Sequence, residues 1–282
     1  MAIGIGSPNA SSLFALNALR VNQTRDQILQ AQLSSGNRLT RASVDPSGLA
    51  ISQGFRSMIS GTDEAMYNAQ TSSNMIQTAD STLSSQTEVL GRMRDLAVRA
   101  SNDATLTQAD RDRMNTEFQA YNSELDRSGR SSSYNGKQLT TDAAGGTPYG
   151  TQAAQVGPDN QASSAINVTV SQSTSATLGT NAQDLTSGTN ARNAISALDT
   201  AIQNISTQRS NLGVTESRLN STVNDLAVQR INLSGANSSI ADMNMAEGVV
   251  ASMRNKLLQN TGIAMLSATN AQAYGVLKLM GV

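Results

Sequence analysis

The side chains that most often carry enzyme chemistry are absent from this 282-residue sequence, which contains no histidine and no cysteine. Their absence excludes disulfides, thiolate nucleophiles, Cys/His zinc sites, haem ligation through histidine, and acid–base catalysis by histidine. It also excludes the HExxH motif of zinc proteases. A site built from carboxylates alone remains possible, but charged residues form only 15% of the chain and are scattered along polar segments. We therefore expect these charges to face solvent, and we expect neither enzyme activity nor a metal or cofactor.

Charge and hydropathy argue against two further classes of partner. The formal net charge is −1 and no basic block occurs, so we expect no nucleic acid to bind. No segment approaches the ~18 apolar residues of a membrane span, so we expect no membrane insertion. The N-terminal MAIGIGSPNASSLF lacks the charged and apolar regions of a Sec-type signal peptide. The chain is expected to be cytoplasmic or to be exported without N-terminal cleavage.

A heptad repeat is the clearest structural pattern in the sequence. Every seventh residue of one series is apolar: Leu198, Ile205, Leu212, Leu219, Leu226, Leu233 and Ile240. The series offset by four starts apolar and then becomes partly polar: Ile195, Ile202, Arg209, Glu216, Val223, Arg230 and Asn237. A matching series runs through Phe55, Thr62, Ala69, Ile76, Leu83, Leu90 and Ala97. These patterns predict a coiled coil between two helices of the same chain.

Three further helices and two breaks are expected. Thr107 and Asp110 form a capping box before a short amphipathic helix, and apolar periodicity marks a helix at each chain end. The polar stretch AQLSSGNRLTRASVDPSGLAI at 31–51 separates the first two helices. The Gly–Asn–Ser cluster in LSGANSS at 233–239 is predicted to interrupt the long heptad helix.

The middle of the chain has a different composition. SYNGKQL at 133–139 predicts a type I′ hairpin, and INVTV at 166–170 predicts a strand. Residues 140–185 are rich in Thr, Ser, Gly and Ala, so we expect a weakly packed β-rich insertion or partial disorder. The predicted fold class is mainly α: a long antiparallel helical bundle or coiled coil, a small β-hairpin region and a short variable β-rich insertion.

Four motifs resemble one known family. LSSG at 33–36 with DPSGLAI at 45–51, LGRMRDLAVRASN at 90–102, SYNGKQL, and the segment LSGANSSIADMNMAEGVVASMRNKLLQNTGIAMLSATNAQ at 233–272 resemble bacterial flagellin in the same order. The likeness covers about 1–140 and 186–282. It implies a terminal coiled-coil domain (1–40 with 245–282) that lines the filament, an inner helical bundle (41–139 with 186–244) and an outer insertion (140–185).

The resemblance also implies function, partners and contact residues. It implies a structural subunit that self-assembles into a helical homopolymer for swimming and is secreted to the cell exterior. It implies an export chaperone, cap and hook-junction proteins as partners, and a host Toll-like receptor that would contact Arg92, Leu96 and Glu117, with Leu96 exposed beside the seam or packed against the following helix. Assembly would involve the terminal residues Leu13, Leu16, Leu33, Val250, Leu257, Ile263, Leu266 and Leu277.

Two other classes of protein remain as alternatives to a filament subunit. A hook–filament junction protein shares the helical ends but should show weaker likeness in the central helices. A trimeric coiled-coil adhesin needs one continuous stalk, which paired halves around an insertion do not provide. Sedimentation separates them, because a flagellin is a monomer that forms long fibres when seeded, a junction protein stays short, and an adhesin is a discrete trimer.

Overall fold

Five helices account for most of the described chain. The computed structural model describes residues 10–141 and 149–279, with side chains described for 13–141, 149–269 and 271. In chain order the elements are α1 (Ala10–Ser35), α2 (Pro46–Ala100), α3 (Gln108–Ser131), β1 (Ser133–Tyr134), β2 (Lys137–Gln138), β3 (Gly150–Gln155), a 3-10 turn (Ala162–Ser164), β4 (Ala165–Val170), α4 (Gly188–Ala241) and α5 (Met245–Leu279). The mainly α fold class with small antiparallel β pairs is confirmed.

The contacts divide the chain into two compact units. The terminal unit comprises Met1–Ser57 and Asn232–Val282, and the central unit comprises Met58–Ile231. The boundaries between the units, at 57/58 and 231/232, fall inside α2 and α4, so each of these helices contributes residues to both units. The three-domain division with boundaries near 40, 140, 185 and 244 stays a prediction.

The core of the central unit is built from α2, α3 and α4. Its largest fully buried side chains include Leu83 and Leu90 on α2, Phe118 and Leu125 on α3, and Leu198, Ile205, Leu212 and Leu219 on α4. Leu226 is also buried. Leu233, which continues the same heptad series into the terminal unit, is half-buried. Apolar stripes at heptad spacing on α2 and α4 therefore contribute a large part of this core.

Polar residues of the second heptad series form a row of cross-helix pairs in the central unit. Arg209 contacts Asp80 at 2.7 Å, the Gln77 amide donates to Glu216 at 2.7 Å, and Arg230 contacts Asp63 at 2.5 Å. As the α4 number rises the α2 number falls, so the two helices are antiparallel. The hydrogen bond to Asp80 also raises the pKa of Arg209. Each polar member of the series thus has a polar partner on α2, which favours this register over its neighbours.

The predicted helix break at 233–239 is wrong. α4 continues to Ala241, and the interruption lies at 242–244. A β-carbon added to Gly235 would meet no atom within 4 Å, so this glycine sits on an open helix face and does not end the helix. The chain turns instead where its backbone bonds to the segment between α1 and α2. The Arg38 N–H donates to the Ala241 carbonyl at 2.7 Å, and the Met243 N–H donates to the Gly36 carbonyl at 2.9 Å.

The middle segment is packed more firmly than its composition suggests, which corrects the expectation of a weakly packed insertion for 149–185. Its buried apolar side chains belong to the core of the central unit: Val156, Ile166, Val168, Val170, Leu178 and Leu185. Side-chain hydrogen bonds tie its polar backbone to helices. Gln86 of α2 donates to the Ser173 carbonyl at 3.1 Å, and Asn122 of α3 donates to the Thr180 carbonyl at 3.2 Å. Residues 142–148 lie outside the described part of the chain.

Two local predictions are confirmed. Asn135 and Gly136 have φ values of 49° and 75°, which are the two positive angles that a type I′ turn requires between β1 and β2. Thr107 accepts the Asp110 N–H while the Asp110 carboxylate accepts the Thr107 N–H, so the capping box begins α3 as expected. INVTV lies in β4, which pairs antiparallel with β3.

Candidate assembly surface

The terminal helices α1 and α5 pack side by side and run in opposite directions. The Gln259 amide donates to the Asn22 carbonyl at 3.4 Å. A β-carbon placed on Gly248 would lie 2.9 Å from a methyl group of Leu33, and one on Gly262 would lie 3.7 Å from a methyl group of Leu19. Lower numbers on α1 thus meet higher numbers on α5 throughout the pair. Gly248 and Gly262 thus lie on the side of α5 that faces leucines of α1.

The joint between α1 and α2 fastens the other end of this pair. The Arg38 guanidinium donates twice to the Ile240 carbonyl, at 2.9 and 3.1 Å, and contacts the Asp45 carboxylate at 3.3 Å. Asp45 also accepts the Gly48 N–H at 2.8 Å at the start of α2. A single β-bridge joins Asn37 to Asp242. The two interruptions of the helices are therefore bonded to one another.

Little apolar surface is buried between the terminal helices. Among described residues of the terminal unit, the buried apolar side chains are Leu39 and Ala241, and both lie at the joint. Apart from Gly248, the buried positions of α1 and α5 among the described side chains are polar: Asp26, Gln32 and Ser252. Asp26 accepts the Gln30 amide through one oxygen, and its other oxygen, Oδ1, has no hydrogen-bond partner. Because apolar burial provides most of the stability of helix pairs, this pair is weakly held on its own.

Large apolar side chains instead point away from the pair. Phe14 is 77% exposed and Leu257 67% exposed. The same outward apolar character is shared by Leu13, Leu16, Val21, Met245, Val249, Val250, Met253, Leu258, Ile263 and Met265. A surface this rich in exposed apolar groups marks an interaction site. We call these residues the outer apolar face.

The structure sorts the terminal residues expected from the sequence into two sets. Leu13, Leu16, Val250, Leu257 and Ile263 lie on the outer apolar face. Leu33 and Leu266 are half-buried, and Leu33 packs against Gly248 of α5. Leu277 lies in α5, but its side chain is outside the described residues. Sequence reasoning did not name Phe14, Val21 or Met265. The two glycines 248 and 262, two heptads apart, are the pattern that could have separated the inner stripe from the outer face.

The residues expected at a receptor contact are only partly exposed. Arg92 and Glu117 are exposed, and the Tyr121 hydroxyl donates to Glu117 at 3.4 Å. Leu96 is only 5% exposed and belongs to the same core cluster as Phe118. The expectation that Leu96 lies exposed beside the seam is therefore wrong, because its side chain is buried in the core of the central unit. Its other expected placement, packed against Met114 or Phe118 of the following helix, stays a prediction; all three residues belong to or pack against the same core cluster.

Neither a metal centre nor a membrane span emerges from the parts of the chain that the structure describes. No three acidic side chains there approach closely enough to hold a metal ion. No helix over 10–141 or 149–279 has the length and hydropathy needed to cross a bilayer.

Comparison with known proteins gives the family. The profile of the bacterial flagellin N-terminal helical region matches residues 7–144, and that of the C-terminal helical region matches residues 195–280. A flagellin of Halalkalibacterium halodurans is 35% identical over 272 residues, which cover 95% of this chain and 98% of the relative. The chain belongs to the bacterial flagellin family.

Other flagellins and one fold neighbour are also similar. A flagellin of Bacillus subtilis is 32% identical, and a flagellar filament core protein of Treponema maltophilum is 30% identical; each match covers 96% of this chain and 98% of the relative. The crystal structure of Bacillus cereus flagellin is 29% identical, with a TM-score of 0.50 over 61% of this chain and 94% of that one. A putative flagellar hook-associated protein from Vibrio parahaemolyticus shares the fold at 14% identity, with a TM-score of 0.58 over 71% of this chain and 100% of that one.

Proposed function

We propose that this chain is a structural subunit that self-assembles into the bacterial flagellar filament. One observation carries the proposal: α1 and α5 bury little apolar surface between themselves and present the outer apolar face to solvent. Neighbouring copies that cover this face would supply the hydrophobic burial that the isolated helix pair lacks. Family membership supports the same reading, since the relatives named above are flagellins and filament core proteins.

Two other classes fit the chain less well. The hook–filament junction alternative is not favoured, because the relatives matched over nearly the whole chain are filament proteins. An enzyme is disfavoured by the lack of histidine and cysteine and by membership of a structural protein family. We infer that the chain has no catalytic role.

Family membership also supports an inference about the partners of this chain and its location. We infer export through the flagellar secretion route to the cell exterior, with an export chaperone, a cap and hook-junction proteins as partners. A host Toll-like receptor is a further partner in this proposal. Because Leu96 is buried in the central unit, Arg92 and Glu117 are the residues of the expected patch that remain available for contact.

Seeded polymerisation tests the proposal. In the double variant Val250→Asp and Leu257→Asp, two exposed apolar side chains become carboxylates. The monomer should melt like the parent, because neither side chain is in a core, whereas fibre growth on seeds should stop because buried unpaired charge is costly. Gln27→Glu is the matched control, since it adds a charge at an exposed polar position of α1. Normal fibres from the double variant, or loss of fibres in the control as well, would contradict the proposal.

A further inference from the structure

Two of the most exposed side chains on the outer apolar face are methionines. Met253 is 66% exposed and Met265 is 63% exposed, whereas Met93 in the core of the central unit is fully buried and Met75 nearly so. The chain has 11 methionines and no cysteine, so thioethers are its only sulfur groups. Exposure to solvent governs how readily a thioether meets an oxidant. The chain therefore places oxidisable groups on the surface proposed for assembly.

We propose that Met253 and Met265 are oxidation sites of the unassembled chain and that their oxidation by peroxides blocks assembly. The thioether sulfur attacks one peroxide oxygen, an S–O bond forms as the O–O bond breaks, and the second oxygen leaves as water after proton transfer. Sulfur loses two electrons and the peroxide gains them. The reaction needs no group from the protein, which is consistent with a chain that lacks histidine and cysteine.

The position of Met253 explains why its oxidation would matter. Residues three and four apart lie on one face of a helix, so Met253 shares a stripe with Val249, Val250 and Leu257, which are all exposed. Met265 lies seven residues after exposed Leu258 and shares a second stripe with it. A sulfoxide is polar and chiral where the thioether was apolar and flexible. Covering it with a neighbouring copy would bury a polar group that has lost its water.

The inference rests on the proposed function, because it is assembly that buries these stripes. It also predicts protection by assembly. In the free chain Met253 and Met265 should oxidise first and the buried Met75 and Met93 last. In fibres formed beforehand, Met253 and Met265 should resist the same treatment, because neighbouring copies exclude the oxidant from them.

The test treats the full chain with dilute hydrogen peroxide and locates sulfoxides by peptide mass spectrometry before seeding. The critical concentration of the oxidised parent should rise by about tenfold or more, the factor expected for burying one polar group without a partner. The variant Met253→Leu with Met265→Leu also carries Met245→Leu, because Met245 is exposed on the same outer apolar face. These substitutions keep side-chain volume, so the variant should assemble both before and after peroxide. The matched control, Met75→Leu with Met93→Leu, should remain as sensitive as the parent. Methionine sulfoxide reductases should restore assembly of the oxidised parent.

Each arm has an outcome that overturns the inference. Normal assembly of oxidised parent, or equal peroxide sensitivity of the Met253/Met265 variant, would show that these side chains do not control assembly. Equal oxidation rates for Met253 and Met93 in the free chain would show that exposure does not select the sites. If the untreated parent forms no fibres, the proposed function fails instead, and the oxidation rates then decide the site assignment alone. Should the leucine variant itself not assemble, protection of Met253 and Met265 in parent fibres decides the matter.

Discussion

Single residues fix the turns and the loop ends of the central unit. Gly136 takes a φ of 75° in the β1–β2 turn, a conformation that costs any other residue free energy. Arg111, buried on α3, donates to the carbonyls of Ala100 and Asn102 and contacts Asp103 at 2.7 Å. Asp103 in turn contacts Arg192 at 3.5 Å, so one buried cation organises the loop that joins α2 to α3.

The two kinds of glycine should respond oppositely to alanine. Gly136→Ala should lower the free energy of unfolding by about 1–2 kcal/mol, because alanine is strained at positive φ. Gly213→Ala, inside α4 where a β-carbon meets nothing within 4 Å, should raise it by about 0.5–1 kcal/mol through higher helix propensity. Urea unfolding of both variants measures the difference. Equal effects of the two substitutions would contradict the assigned turn.

Arg111→Ala should lower the free energy of unfolding by about 2 kcal/mol. The substitution removes the charged donor to the carbonyls of Ala100 and Asn102. A hydrogen-bond acceptor away from solvent costs free energy when it has no donor. Arg113→Ala is the control, since this exposed side chain two residues further along α3 makes a long contact with Asp110, at 3.7 Å. Chemical denaturation should separate the two variants clearly. A similarly small change in the free energy of unfolding of both variants would show that the hydrogen bonds of Arg111 do not stabilise the loop.

At the scale of elements, an apolar series drives α2 and α4 together and a polar series aligns them. Leu198, Ile205, Leu212 and Leu219 would pack in more than one register, because a heptad repeat looks the same after a shift of seven. The pairs of Arg209 with Asp80 and Arg230 with Asp63 break this degeneracy. They are part-exposed, so their direct contribution to stability is small.

Charge reversal tests this alignment. Arg209→Asp alone sets two carboxylates against each other and should lower the free energy of unfolding by about 0.5–1 kcal/mol, and Asp80→Arg added to it should restore most of that loss. The double-mutant cycle is measured by thermal unfolding. The same swap at Glu124 and Arg127, an exposed pair within α3, should show no recovery of comparable size. A coupling energy near zero at Arg209 would remove its role in alignment.

At the scale of the whole molecule, the two units differ in how much of their apolar surface is buried. The central unit has a continuous core that reaches from α2 to the strands β3 and β4. The terminal unit has buried polar groups and an outer apolar face. The central unit would be folded in the free chain already. In the proposed filament, neighbouring copies would cover the outer apolar face of the terminal unit.

Deletion of 145–183 should destabilise the central unit. It removes five buried apolar side chains, Val156, Ile166, Val168, Val170 and Leu178, each worth about 1.5–3 kcal/mol on burial, against a total stability of about 5–15 kcal/mol for a domain. The cooperative thermal transition should be lost or strongly lowered, as circular dichroism will show. Replacing only the exposed residues 159–163 with a short flexible linker is the control, and it should cost little. An unchanged thermal transition after deletion of 145–183 would show that the segment is weakly packed after all.

The sequence by itself determined the helices, the β1–β2 turn, the capping box and the family, because these depend on local geometry and on repeats that can be counted. Heptad spacing decides which side of a long helix is apolar, and Asn–Gly decides a turn within four residues. The same reasoning erred at LSGANSS because a glycine lowers helix propensity without ending a helix that packing supports.

Only the tertiary structure decided which apolar face is covered and by what. The middle segment looked weakly packed because its few apolar residues are separated by Ser and Thr, yet backbone pairing in β3 and β4 gathers them on one side of the sheet, against the helices. Leu96 is a core residue because the elements of the central unit pack around it. On α5 the sequence does not mark which side faces α1, and the approach of Leu33 and Leu19 to the Gly248 and Gly262 positions decides it. Such choices depend on contacts between residues far apart in the chain, and local periodicity carries no information about them.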